Sequence, residues 1–233
     1  MPFQDREEGG RRLAALLEGH RAERPVVLGL PRGGVPVAFE VARLLAAPLD
    51  VLVVRKLGAP GDEEYGVGAM AEDGEVLLDA EALSELGLRR AQLHGAIERE
   101  RAELERRVAR YRGGRPPIPV AGRTAILVDD GVATGVTARA ALRSLRRRRP
   151  RRVVLAAPVV AREAAAELRA EVDDLVYVEA PEDFVAVGLW YRNFGQTTDE
   201  EVVRYLERAA VPEAEPEDPR ATEWIGEDDG DQP

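Results

Sequence analysis

Short apolar runs alternate with amphipathic stretches along most of the chain. Residues 26–30, 50–54, 124–129, 152–158 and 174–178 are continuous Val/Leu/Ile-rich runs rather than alternating ones. That is the pattern of strands buried on both faces of a parallel sheet. Between them, apolar positions recur at helical spacing over 35–45, 136–149, 162–171 and 199–210. A further helix over about 6–18 precedes the first strand, with Gly9 and Gly10 weakening its first turns. The order predicts an α/β domain over residues 1–210, doubly wound around a mainly parallel five-stranded sheet.

Two stretches depart from this rhythm. Residues 56–78 carry Gly58, Gly61, Gly66, Gly68 and Gly74 and are too long for an ordinary connection, which predicts a lid or a ribbon. Residues 80–115 read as a helical insertion with Arg and Glu at three- and four-residue spacings. Its narrow stripe of Leu93, Ile97, Leu104 and Val108 suggests packing on a partner helix or subunit. Gly113-Gly114 and Pro116-Pro117 end it.

Charge changes the picture at one end. The 233 residues hold 33 basic and 43 acidic side chains, a net charge of −10. Nine of the acids, against Arg220 alone, fall in residues 211–233 together with four prolines. Such a segment buries too little to offset its ordering entropy, so a disordered acidic tail is expected, with Trp224 the one residue suited to docking. The absence of cysteine excludes disulfides, thiolate metal sites and thiol nucleophiles. No apolar run reaches 18 residues and the start lacks the pattern of a secretory signal, so a soluble, cytoplasmic protein without a membrane partner is expected. His20 and His94, the only histidines, are expected in surface or packing roles.

The run from Ala125 to Thr137, Ala-Ile-Leu-Val-Asp-Asp-Gly-Val-Ala-Thr-Gly-Val-Thr, carries the chemistry. A buried strand delivers adjacent carboxylates, Asp129 and Asp130, to its carboxyl end. The loop of small residues that follows, Ala133, Thr134, Gly135, Val136 and Thr137, opens a helix. Backbone N–H groups and hydroxyls can converge there on an anion favoured by the helix dipole. A phosphate cradle beside two carboxylates suits a sugar phosphate. No lysine follows the glycine, so the loop is not of the Walker type, and it lacks dinucleotide spacing.

A second turn has the same character. The run 26–30 ends in Pro31-Arg32-Gly33-Gly34 and leads into a helix, a cation beside glycines that allow close backbone approach. Lys56, the single lysine beside 32 arginines, follows the run 50–54 and is expected at the same crevice edge, where a compact ammonium is a point charge for an anion.

The thirteen-residue run resembles the phosphoribosyl-pyrophosphate (PRPP) signature of the type I phosphoribosyltransferases, and the order of elements from about Pro25 to Ala210 resembles theirs. The resemblance implies the type I phosphoribosyltransferase fold with strand order 3-2-1-4-5, which sets both anion turns at one switch-point crevice, and a small hood near 181–197. It implies that Asp129 and Asp130 hold the ribose hydroxyls and Mg2+, directly or through water, and that Ala133 to Thr137 bind the 5′-phosphate. Arg32, Gly33, Gly34 and Lys56 are then the pyrophosphate site, often built in this family around a non-proline cis peptide. The activity implied is transfer of ribose 5-phosphate from PRPP to a nitrogen acceptor, a nucleobase, in a homodimer, with Arg32, Lys56, Asp129 and Asp130 catalytic.

A lid should exclude water, and Glu64 and Tyr65 in the Gly-rich stretch are its candidates. Phe184, Val187, Trp190 and Tyr191 offer a surface for a flat base, or alternatively pack in the core. Ala133 replaces the aspartate found there in 6-oxopurine enzymes of the family, which counts against such an acceptor. The alternative reading is a PRPP-binding regulator without turnover. The seven arginines between Arg143 and Arg152 would suit nucleic acid in that role, but their position at a helix end in an acidic chain favours a dipole-complementing role, and no nucleic-acid partner is expected.

Overall fold

The computed structural model of the chain describes residues 2–210, so the acidic tail expected at 211–233, with Trp224, lies outside the described residues. The elements run α1 (Arg6–Leu16), β1 (Val26–Gly29), α2 (Gly34–Leu45), β2 (Leu49–Val51), β3 (Val54–Ala59), β4 (Asp62–Ala71) and β5 (Val76–Leu78). They continue α3 (Ala80–Glu85), α4 (His94–Arg112), β6 (Thr124–Val128), α5 (Val136–Arg147), β7 (Arg152–Val159), α6 (Arg162–Leu168), β8 (Asp174–Glu179) and α7 (Asp199–Ala210). Short 3-10 turns lie at Glu18–Glu23, Arg90–Leu93 and Val187–Trp190.

Five strands form a parallel sheet in the order β2-β1-β6-β7-β8. The expected order 3-2-1-4-5 is therefore corrected, because among the described residues no strand pairs beyond β2. The chain breaks after Val51 and re-enters as β3 of a separate antiparallel sheet, β3-β4-β5. The adjacency on which the site depends is present: β1 and β6 pair with Gly29 opposite Val128, so both strands end side by side. Sequence order reverses between these two strands, which opens a crevice at their carboxyl ends.

Val27, Ile126, Val128, Val154 and Ala156 face a core shared with α1, α2, α4 and α7. Val26, Leu28, Leu127, Val153 and Leu155 face the layer of α5 and α6. Two fully covered faces explain why these strands read as unbroken apolar runs. Asp5 caps α1 through the Glu8 N–H, and Thr198 and Glu201 form a reciprocal capping pair at α7. Gly9 and Gly10 have a packing role that helix propensity alone does not show. A Cβ at Gly10 would lie 2.9 Å from the Val37 carbonyl oxygen, so α1 sits on α2 closer than any side chain would allow.

The 56–78 stretch is the second sheet, and 80–115 is helical except for a break at 86–89 and its final connection. The stripe of α4 does not await a partner. Leu93, Ile97 and Leu104 are buried against the chain's own core, with Val108 beside them, so of the two partners expected, helix or subunit, the stripe meets helices of its own chain, α7 among them. The inward end of the insertion is held by Arg112, whose guanidinium reaches Asp50 at 3.2 Å and Glu72 at 2.9 Å while Asp50 also accepts the Ile118 N–H. The arginines at the end of α5 and after it are likewise used within the chain: Arg147 pairs with Glu75, Arg148 with Glu72, and Arg152 with Glu23. No helix among the described residues is long and apolar enough to cross a membrane.

Candidate active site

A cleft of about 550 Å³ opens at the carboxyl end of β6, facing the antiparallel sheet; Asp130 and residues 31–34 are not on its wall. One wall is the turn from Gly131 to Ala138 with Asp129 behind it; the other is Lys56, Tyr65, Gly66 and Gly68 of the antiparallel sheet with Asp79, Glu81 and Glu85 at α3; Val187 lies at its rim.

The Thr134 turn is a helix start without a side-chain cap. Gly135, the N-cap of α5, has φ +78°, a conformation that side chains disfavour. Among the described residues, the N–H groups of Thr134 to Thr137 donate to no backbone or side-chain acceptor, and Ala133 and Thr134 are exposed. Orphan donors at the positive end of a helix dipole are what an anion satisfies. The turn is anchored from below, where the Val132 N–H donates to Val159 and the Ala161 N–H to Val132.

The second turn lies directly beside it. The Leu30 N–H donates to the Val128 carbonyl at 2.8 Å, and the Pro31–Arg32 peptide is cis without proline in second position. Gly33 and Gly34 meet the acids so closely that a Cβ would fall 2.0 Å from Asp130 Oδ2 and 2.6 Å from the Val128 carbonyl oxygen. The N–H groups of Arg32 and Gly33 also find no acceptor among the described residues.

Side chains depart from expectation at several points. The Arg32 guanidinium is not on the cleft wall; it lies 3.8 Å from Asp199 at the start of α7. Asp199 also accepts the Tyr111 hydroxyl at 2.7 Å and faces Arg106. Burial pushes the Asp199 carboxyl up, but these partners outweigh it and hold the pKa below the usual range. Lys56 does reach the cleft, although from β3 of the antiparallel sheet rather than from the end of a core strand. Tyr65 is 38% exposed and donates its hydroxyl to Glu85 at 2.7 Å. The side chain of Glu64 lies outside the described residues.

The hood residues divide. Val187 reaches the cleft, while Phe184 and Trp190 pack around Phe3 and Val159. Tyr191 is only 5% exposed, held between Phe3 and Phe194, and donates its hydroxyl to the Asp130 carbonyl. Burial, then the Asp130 charge, pushes this phenol far above its ordinary value. Tyr191 therefore stands behind the acid, packed in the core, the second of the two readings given for it.

Asp129 is half-buried on the cleft wall beside a like charge. Burial first, then Asp130, raises its pKa well above the carboxylate range, with the Arg6 guanidinium offsetting part of this. An adjacent carboxylate pair in want of positive charge fits a hard, oxygen-seeking cation such as Mg2+. Among the described residues no group of three or more His, Cys, Asp or Glu gathers as a cage. Arg6, which sequence reasoning left as an ordinary helix residue, is the unexpected member: its Nε donates to Asp130 Oδ2 at 2.8 Å.

A doubly wound sheet with two glycine-containing turns beside an acid pair at its switch point defines an α/β protein of the kind that binds ligands at the carboxyl ends of its strands. Residues 3–191 match the phosphoribosyl transferase domain, and the chain belongs to that family. Two Mycobacterium tuberculosis proteins, from strains CDC 1551 and H37Rv and provisionally named phosphoribosyl transferases, are each 48% identical over 207 residues, or 89% of this chain. The chain spans about half the length of these curated relatives, 47%. The crystal structure of TT1426 from Thermus thermophilus superposes with a TM-score of 0.76 at 46% identity, over 91% of this chain and all of that one.

Proposed function

We propose that the chain transfers the 5-phosphoribosyl group of PRPP to a nitrogen acceptor and releases pyrophosphate. The observation that carries this reading is the contiguity of the two open turns. Gly33 abuts Asp130, so one sugar carrying a phosphate and a pyrophosphate can span both turns across the acid pair. The 5′-phosphate takes the free N–H groups of residues 134–137 with the Thr134 and Thr137 hydroxyls, and the carboxylates of Asp129 and Asp130 accept the ribose hydroxyls. The pyrophosphate takes the N–H groups of Arg32 and Gly33, with Lys56 from the facing sheet.

In the reaction the bond from the anomeric carbon to the pyrophosphate oxygen breaks as the acceptor nitrogen bonds to that carbon and gives up its proton. This chain contributes position and charge: the acids orient the ring, and Lys56 meets the negative charge gathering on the leaving oxygen. Mg2+, when bound with PRPP at the acid pair, supplies further neutralisation of the diphosphate. Tyr65 and its strand form the flap that excludes water, and Val187 with the exposed Val185 and Leu189 gives the acceptor an aliphatic rim.

The test is pyrophosphate release from PRPP across nucleobases and small amines, with thermal shift read in parallel. PRPP with Mg2+ is expected to raise the melting temperature, and Asp129→Ala with Asp130→Ala to abolish the shift. Release with one acceptor class supports the transferase. Binding without release across the panel points to a PRPP-sensing regulator, and an unchanged shift in the double variant contradicts the site.

A further inference from the structure

Arg6 lies in the first turn of α1, far from the cleft in sequence, and three separate features converge on its guanidinium. Its Nε donates to Asp130 Oδ2 at 2.8 Å, its Nη1 donates to the Gly195 carbonyl at 2.6 Å, and its central carbon sits 3.9 Å from the Phe194 ring centre. The Arg6 and Asp130 side chains are only 11% and 15% exposed, so the pair is not the solvent-screened kind that contributes little.

We propose that Arg6 is a positioning residue that fixes the Asp130 carboxylate for the sugar and locks the 190–195 segment against the site. The proposal rests on the reading of Asp130 as a ribose-binding acid. The same oxygen that Arg6 holds, Oδ2, is the one against Gly33, where a Cβ would stand 2.0 Å away. Held by the guanidinium on one side and crowded by the turn on the other, the carboxylate has little room to rotate, which on this proposal leaves Oδ1 for the ligand. The strap is completed around Arg6. Phe3 donates its N–H to the Trp190 carbonyl and accepts the Arg192 N–H, while the Tyr191 hydroxyl holds the Asp130 backbone. A planar guanidinium bridges carboxylate and carbonyl with two N–H groups in fixed relation, which a lysine ammonium cannot copy.

Ligands that touch Asp130 should be sensitive to Arg6, and ligands that do not should be indifferent. Calorimetric titration of the full chain with ribose 5-phosphate and PRPP, each with Mg2+, and with pyrophosphate without Mg2+, so that no ion links it to the acid pair, separates these cases. Arg6→Gln is expected to weaken both sugar ligands about tenfold, as for loss of a charge-assisted hydrogen bond, and to leave pyrophosphate within about twofold. Arg6→Lys, which keeps the charge and one donor, should fall between and guards against a Gln variant that folds poorly. Equal weakening of all three ligands, or of none, overturns the role of Arg6 while leaving the site reading intact. Failure of the unaltered protein to bind any of the three overturns the site reading, and the role of Arg6 with it.

Discussion

The turns at Thr134 and at Arg32 have opposite characters. The Thr134 turn is self-contained: its glycine takes positive φ, its helix start is open, and the residues that form it are consecutive. The Arg32 turn is made by its surroundings. Its glycines are wedged against Asp130 and the Val128 carbonyl, and its cation is drawn to Asp199 on α7. One turn is specified locally and the other by packing, so substitutions should disturb them differently.

The largest effect is expected at Gly34. An added methyl would meet backbone, 2.6 Å from a carbonyl oxygen and 2.9 Å from Asp129 Cα, where nothing can swing aside. Gly34→Ala should destabilise the fold by about 1–3 kcal/mol through overpacking, measured by chemical denaturation. Gly135→Ala should cost about 1–2 kcal/mol, because the strain there is conformational and the nearest atom, 3.3 Å away, belongs to the flexible Leu168 side chain. A Gly34 variant as stable as the unaltered protein would break the contrast.

Next comes the division of labour between the cations. Lys56→Ala should weaken pyrophosphate binding about tenfold, and Arg32→Ala by less than about threefold, since only Lys56 lines the cleft. The reverse order in calorimetry would mean that Arg32 leaves Asp199 when ligand arrives.

The smallest effect is on acid stability. Hydrogen bonds from Arg106, and then Arg107, outweigh burial and pull Glu103 down to about 2 from an ordinary 4.5. A depressed folded-state pKa adds stability that is fully present above the unfolded value and is lost as pH falls from about 4.5 toward 2. Glu103→Gln should therefore lower the melting temperature slightly at neutral pH, with the difference shrinking through that acid window. A difference that is constant with pH would contradict the assignment.

How much was legible in the sequence follows the same divide. Asp129, Asp130 and the turn after them could be read because strand, acids, loop and helix are contiguous, and the doubly covered strands read as apolar runs because both faces are dry. The antiparallel sheet was visible only as an excess of glycine. Its β3–β4 pairing slips register near Gly58, which erases the alternation that marks a strand. Arg6 could not be found in this way. Its partner lies 124 positions away, and nothing in the composition of α1 separates it from its other arginines. Distance in sequence likewise hid the pairing of Arg32 with Asp199 and the bond from the Tyr191 hydroxyl to Asp130.

The most direct measurement is competition at equilibrium: PRPP with Mg2+ titrated into protein already saturated with ribose 5-phosphate, with pyrophosphate, or with both. If a single molecule occupies both turns, each half alone displaces it, and the two halves bind together without excluding one another. PRPP binding that is untouched by one of the halves would mean that the turns serve separate ligands, which contradicts a single sugar spanning both.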